Sequence, residues 1–529
     1  MAKSYKQNPK IEASYDAIFI GSGMGSLAGA AILSKEGMRV LVLEQHYTPG
    51  GYTHVFKRKG YEWDVGIHYI GEMQRKHSAM YKVFDYINDG TLKWADMGEV
   101  YDRIVLGENH YDLVKGVEPF KIQMKSYFPE EAGAIDAYVD LIFKAGRTVG
   151  PFYMNKALPP LLSRILGPFL SRGFHKYSDQ TTYEVLRKLT SNEDLIRVLC
   201  GQYGDYGLPP KKSSFSMHAT VVKHYFDGGS YPVGGSSQIV KTIEPLIEAS
   251  GGMILVKAPV KEVAIENNRS IGVELEDGKR ISAKQVVSGA GNVSTFKHRL
   301  PKSVVRQHKR REQLTQVEPS ACHAGLYLGL KGTPEELGLP KTNYWLYPEN
   351  GDHDACVDRY LKNPEEDFPV VYISFPASKD PDFQNRYPGK STIDIITLVP
   401  YDLFGRWEGS TWMNRGEEYE QLKERLTDRL IGRLLEHFPH LKDKIKHKEL
   451  STPLSTSFFT RYEKGEIYGV DHSPSRFRQK FLQPRTPIKN FYLTGQDTVT
   501  AGVGGALFSG LLTASAMTGT NFMKKITED

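Results

Sequence analysis

Four residues near the N-terminus carry the first chemical signal. Gly21, Gly23, Gly25 and Ser26 lie in GSGMGS, directly after the apolar run 16–20 and directly before an Ala/Leu-rich stretch that continues to Lys35. A glycine at 21 permits a tight turn. One at 23 lets the backbone approach a pyrophosphate, whose charge the N–H groups and dipole of the following helix would hold. A second apolar run, 38–43, ends in Glu44 and Gln45. An acid about 20 residues beyond such glycines accepts hydrogen bonds from ribose hydroxyls and repels a 2′-phosphate, which favours FAD or NAD over NADP. Ser26 replaces the third glycine of the pattern and slightly loosens helix-to-strand packing.

A second cluster stands at the other end of the chain. The apolar run 491–494 delivers Gly495 and Asp497 together, and Gly502, Gly504 and Gly505 open a small-residue helix whose start can come close to a ligand. Glycine-rich packing would explain the small residues, but not a strand, an acid and a helix in that order.

A sheet must bring these clusters together. Strand, helix and strand over 16–43 make a βαβ unit. A helical run over 237–248, an apolar run 253–256 and alternating runs around Glu276-Asp277-Gly278, where Asp-Gly supplies a hairpin turn, extend the same domain. From 100 to 235 the alternation lapses and aromatic, Gly and Pro content rises, which marks a second domain. Strands in HAGLYLGL and STIDIITLV and a helix over 416–438 belong to its later lobe. The expected fold class is α/β, a Rossmann-type FAD-binding domain (12–99, 236–300, 476–525) with an interleaved α+β substrate domain (100–235, 301–475).

A chain of 529 residues exceeds what one core grows to. Its 68 basic and 62 acidic residues give a net charge of +6, short of the one-sided excess of a nucleic-acid binder but compatible with a weakly basic face for an anionic membrane. Cys200, Cys322 and Cys356 have neither metal nor disulfide spacing and read as buried thiols in a reducing compartment, so no metal site is expected. No run of about 18 apolar residues and no secretory core segment occur. The expectation is a cytoplasmic protein that spans no bilayer, with membrane association left open.

Glu44 followed by Gly50-Gly51 in LEQHYTPGGYTHVF resembles the second FAD motif of the amine oxidase and phytoene desaturase superfamily. The resemblance implies that the paired glycines pass close to the flavin-side phosphates; Tyr52 stands where these families often carry arginine. WDVGIHYIG, 63–71, is similar to the segment that approaches the isoalloxazine in retinol saturase-like enzymes, as a strand holding Asp64, His68 and Tyr69. A hydrogen-bonded core histidine is the competing reading of His68. By the same resemblance Val260 bonds adenine through its backbone, and Asp497 holds the ribityl or pyrophosphate region. The helix opened by Gly502 would face the flavin pyrimidine ring, where its positive end favours an anionic reduced flavin.

Residues 201–239 and 461–474 resemble the retinol saturase branch most closely. Tyr203, Tyr206, His218, His224, Tyr225, Phe226 and Tyr231 would line an apolar pocket with a few polar contacts, or fill the core. The histidine spacing suits no zinc site. Tyr462, Glu463 and Tyr468 are candidates for the same cavity, with a surface or capping role as the other reading of Glu463. Residues 152–177, where leucines and phenylalanines interleave with Lys156, Arg164, Arg172 and Lys176, suit a helix lying in a membrane interface at the mouth of a lipid tunnel, or an amphipathic helix packed on the core.

The resemblance implies an FAD-dependent oxidoreductase that reduces one carbon–carbon double bond of a long apolar polyene, whether retinoid, carotenoid or unsaturated lipid. Hydride would come from flavin N5, with His68, Tyr69 or Tyr231 as proton donor. No second complete fingerprint for a nicotinamide cofactor occurs, so electrons would come from or go to a transient partner. Desaturation and redox-neutral cis–trans isomerisation use the same parts. A non-catalytic prenyl or lipid carrier of the guanine nucleotide dissociation inhibitor type shares the architecture, but has no need of Glu44, Gly50-Gly51, Val260 and Asp497 together.

Overall fold

The structure is a computed structural model and describes residues 2–7, 9–308 and 310–528. Residues 17–20 and 40–43 are apolar without interruption and buried throughout, as strands covered on both faces must be. They pair in parallel, Ile18 beside Leu41. Their sheet runs in the order Lys3–Ser4, Met253–Val256, Val40–Leu43, Ser14–Ile20, Arg280–Ser288, Arg269–Leu275, Val260–Glu266. Phe491–Leu493 joins Arg280–Ser288 in parallel, Val287 beside Tyr492, so the C-terminal segment finishes next to the N-terminal glycine turn.

Helix Met24–Lys35 begins at Gly23 and stops where Gly37 takes φ 79°, the N–H groups of Gly37 and Met38 turning back to the carbonyls of Ser34 and Leu33. It is buried along almost its whole length because helix Gly502–Thr518, equally rich in small residues, packs against it. The approach is backbone to backbone: a Cβ on Gly510 would stand 2.4 Å from the Gly25 carbonyl oxygen.

A second, seven-stranded sheet has the order Ile445–Ser451, Cys322–Lys331, Lys390–Val399, Val371–Ser374, Asn343–Tyr347, Val100–Leu106, Asn109–Val114. Along Lys390–Val399 the side chains alternate. Ile393, Ile395 and Val399 join the core under helix Glu417–His437, whose Leu422, Leu426, Leu430 and Leu434 recur every four residues; Ile396 and Leu398 pack on the opposite core. Asp394 shares that opposite side, so this strand carries a wholly buried carboxylate toward the middle of the molecule.

Two expectations are corrected. Residues 63–71 are not one strand: Tyr61–Asp64 and Ile70–Gly71 are strands, with His68 and Tyr69 on an irregular link between them. Gly66 sits so close to Tyr52 that a Cβ would stand 2.9 Å from its Cβ, and the His68 carbonyl is met by Lys379 Nζ at 3.0 Å instead of by a strand partner. Residues 152–177 are not one helix either. Helix Ala132–Ala157 ends there and Pro160–Ser178 begins, because Pro159-Pro160 cannot continue a helical hydrogen-bond ladder.

Candidate active site

Three glycine turns meet in one place. A Cβ on Gly25 would stand 2.7 Å from the Gly495 nitrogen, and one on Gly51 would stand 3.0 Å from Gly23 Cα, so the first, second and last glycine motifs touch through bare backbone. Ser26 is accommodated by a matching loss elsewhere, since a Cβ on Gly289 would fall 2.2 Å from its Oγ. Glu44 closes the same end. Its Oε2 accepts from Ser22 N–H and Oγ–H at 2.8 and 2.7 Å, and its Oε1 accepts from His46 N–H at 2.7 Å.

From this cradle opens a cavity of about 1180 Å³. Clefts that hold one drug-sized ligand measure about 300–1,000 Å³, so there is room for a dinucleotide and a second apolar molecule. Gly21, Gly23, Gly25, Ser26, Glu44, Gln45, Gly51, Val260, Gly495, Gly504 and Gly505 all line it. Gly23 and Gly502 leave open space where a Cβ would be, and the Tyr52 hydroxyl on the wall is buried with no hydrogen-bond partner. Open helix starts, a carboxylate and an orphaned hydroxyl fit a flavin dinucleotide.

Two of the sequence candidates for the cofactor lie off the cavity wall. Gly50 forms the turn itself, at φ 123°, with its N–H donating to Ser22 Oγ at 2.9 Å. Asp497 is buried with both oxygens engaged, accepting from Asn292 N–H at 2.6 Å and Val470 N–H at 2.9 Å. It clamps the loop that presents Gly495, helped by the buried Arg476, whose guanidinium donates to the carbonyls of Val470, Gln496 and Val499.

Farther from the cradle the wall becomes aromatic, with Tyr69, Tyr225, Trp345, Tyr372 and Tyr468; Tyr462 lines it at the cradle itself, its hydroxyl accepting from Gln496 Nε2 at 3.1 Å. Tyr69 stacks on Tyr225 with ring centroids 4.3 Å apart. Of the seven candidates in 201–239, only His224 and Tyr225 reach the cavity. His224 Nε2 accepts from Gly71 N–H at 2.8 Å, while His218 is held between the hydroxyls of Tyr138 and Tyr206 in the core. Tyr231 is also turned away, its hydroxyl bonded to Asp64 Oδ2. Glu463 sits at the surface, paired with Lys297 at 2.7 Å and His298 at 3.2 Å.

His68 does line the cavity. Its Nδ1 lies 3.4 Å from Asp394 Oδ2, too long and poorly aligned for a good hydrogen bond, and neither ring nitrogen has one. Burial, then the nearby Lys379 ammonium, push the imidazole down to about 4, so it is neutral near pH 7. Lys379, itself lowered by burial to about 7, donates to Asn343 Oδ1, to Ser374 Oγ at 2.7 Å and to the His68 carbonyl.

The sequence reading missed a polar group on this wall. Asp205 lines the cavity and shares the Tyr69 hydroxyl with Asp102, at 3.2 and 2.8 Å. The signal available was a lone carboxylate inside the aromatic run GQYGDYG, just as Asp394 stands alone in STIDIITLV. Acids are almost never fully buried unless paired.

A nucleotide cradle on a sheet whose central strands are parallel, opening into an aromatic cavity beside a second, mixed sheet, is the architecture of a flavoprotein oxidoreductase. Residues 27–318 match the model of the flavin containing amine oxidoreductases, and the chain belongs to that family. It is 37% identical over 524 residues to all-trans-retinol 13,14-reductase of Danio rerio, covering 96% of this chain and 86% of that one. It is 25% identical over 527 residues to prolycopene isomerase of Arabidopsis thaliana, covering 95% and 82%. A solved structure of putrescine oxidase superposes with a TM-score of 0.63 at 15% identity, covering 96% and 99%, which shows the shared fold.

Proposed function

We propose that this flavoenzyme uses FAD to reduce one carbon–carbon double bond of a long apolar polyene. The observation that carries the reading is a single cavity with two chemically different ends, glycine backbone and a ribose-type carboxylate at one, aromatic rings with a few polar groups at the other. FAD is favoured over a mononucleotide because Glu44 lines the cavity at the end of the second strand, where such an acid meets an adenosine ribose. Similarity to a retinol reductase over nearly the whole chain supports the polyene and the direction of reaction.

In this reading Gly21, Gly23, Gly25 and Ser26 bind the pyrophosphate at the start of helix Met24–Lys35. Glu44 and Gln45 take the ribose, Val260 the adenine and Gly51 the inner phosphate, while Gly495, Gly504 and Gly505 make room for the ring. Gly50 and Asp497 act by shaping the turns that present them. When reduced, the flavin supplies hydride. The chain's own task is to hold the polyene in an anhydrous slot and provide a proton from the wall, where His68 and Tyr69 stand and Tyr231 does not. The five-segment division into two domains and a transient electron partner belong to the same proposal, as does a cytoplasmic location against a membrane.

The apolar substrate would enter beside the helical hairpin. Val149, Gly150, Tyr153 and Met154 line the cavity, while Leu161, Ile165 and Phe169 just beyond them are 69%, 57% and 81% exposed. With Arg164 among them and Arg172 just after Phe169, they suit insertion into an anionic membrane surface. No helix among the described residues is long and apolar enough to cross a membrane.

The test is anaerobic incubation of the reduced protein with retinoids, carotenoids and polyunsaturated lipids, read by mass spectrometry. A product heavier by two hydrogens supports the proposal. An unchanged mass with altered absorbance supports isomerisation, the second reading, which likeness to prolycopene isomerase favours. No product from any of them would overturn both.

A further inference from the structure

The wall groups nearest at hand are poor proton donors. Burial leaves His68 neutral, and burial with two neighbouring carboxylates holds the Tyr69 phenol far above its usual range. A general acid working near neutrality needs a proton it holds at pH 7 and can release.

Asp102 and Asp205 converge on one phenol. Tyr69 has a single hydroxyl proton, and Asp102 Oδ2 at 2.8 Å is its better partner. Burial raises the Asp102 carboxyl too, but Asp102 also accepts from Gln202 Nε2 at 2.8 Å and from Asn343 Nδ2 at 2.9 Å, so three donors oppose that rise and favour the carboxylate. Among the described residues Asp205 is served only by the longer contact to Tyr69, 3.2 Å, in a desolvated setting beside a like charge. Two such carboxylates cannot both ionise cheaply, and the one with fewer donors keeps the proton. Burial and then Asp102 raise the Asp205 carboxyl well above the usual carboxylate range. Other polar groups around it are Tyr206 beside it in the chain, Tyr225 from helix Phe215–Tyr225, Tyr101 from Val100–Leu106, Tyr347 from Asn343–Tyr347, Tyr372 from Val371–Ser374, and Tyr468, whose hydroxyl donates to the neighbouring Gly204 carbonyl at 3.0 Å. Lys379, the nearest cation, faces the Asp102 side through Asn343 and favours charge there.

We propose that Asp205 is the acid that gives the proton to the double bond, kept in its carboxylic form by Asp102 through the shared Tyr69 hydroxyl. The proposal rests on the polyene-reduction reading. A reduced flavin, when bound, would supply hydride with its electron pair to one carbon. The π pair, with the Asp205 proton, makes the second C–H bond as the Asp205 O–H bond breaks. The bond is reduced by two electrons, the flavin is oxidised by two, and the carboxylate left behind is reprotonated by water. Asp102 and Tyr69 are positioning residues.

Infrared difference spectra of the flavin-loaded protein near pH 7 test the proposal without turnover. A protonated-carboxyl band should be present, move when all-trans-retinol is added, and vanish in Asp205→Asn. Asp102→Asn, which leaves the cavity wall untouched, should lower the pH at which that band disappears by about one unit or more. In turnover, Asp205→Asn should keep its flavin and bind retinol within about threefold of wild type, yet reduce it about 100-fold or more slowly, with Asp205→Glu recovering part of the rate. Asp394 is buried as well and can contribute a second such band; if the band that retinol moves survives in Asp205→Asn, the proposal is overturned, as it is by wild-type reduction in Asp205→Asn. If the wild type reduces no polyene, the functional reading fails while the infrared result still decides whether Asp205 holds a proton.

Discussion

His218 illustrates what burial does to single residues here. It is packed between Tyr138 and Tyr206, hydrogen-bonded at 2.8 and 3.2 Å, and burial pushes it down to about 3 from a usual 6.5. Because the unfolded chain takes up this proton first, His218 destabilises the fold progressively as pH falls below about 6.5, by up to about 1.4 kcal/mol per pH unit. Above that pH it is neutral in both states and the effect is absent. His218→Gln, which can still donate and accept, should therefore show a smaller fall in Tm between pH 7 and 5 than the wild type, measured by calorimetry. Equal falls would mean that the imidazole is not held neutral. Residue chemistry was legible in the sequence only in part: His68, Tyr69 and Tyr231 were all plausible donors by type, but whether a hydroxyl meets the cavity or Asp64 depends on a fold that a local pattern does not encode.

At the scale of elements, the glycine turns were readable because backbone contact leaves no alternative to glycine. Gly25 is the sharpest instance, since a methyl there would collide with Gly495 main chain at 2.7 Å, not with a flexible side chain that could move aside. Gly25→Ala should therefore separate the first and last motifs and lose the flavin while the far sheet remains folded; absorbance of the purified variant and its circular dichroism check both halves. The link at residues 65–69 was less legible. Its composition matches a strand, and only the crowding at Gly66 and the Lys379 contact with the His68 carbonyl show why it is not one. The hairpin of Ala132–Ala157 and Pro160–Ser178 predicts a membrane phenotype. Replacing Leu161, Ile165 and Phe169 by serine should abolish flotation with anionic liposomes and leave the flavin in place. Unchanged flotation would remove the membrane from the account.

For the molecule as a whole, the two sheets divide the labour. The first sheet, parallel at its centre, gathers segments from the beginning, middle and end of the chain around one nucleotide cradle, and the seven-stranded mixed sheet carries Asp102, Asn343, Tyr372 and Asp394 toward the far end of the cavity. The first was readable from spacing, because glycines, Glu44 and strand runs recur in a fixed order. The second was not, since a lone acid in a strand has no periodic signature and its partners come from distant turns. Whether these separated segments grip one FAD is read by denaturing the purified protein and identifying what it releases by chromatography and mass. One FAD per chain is expected; a colourless protein that also rejects added FAD, or one that releases a mononucleotide, would show that they do not.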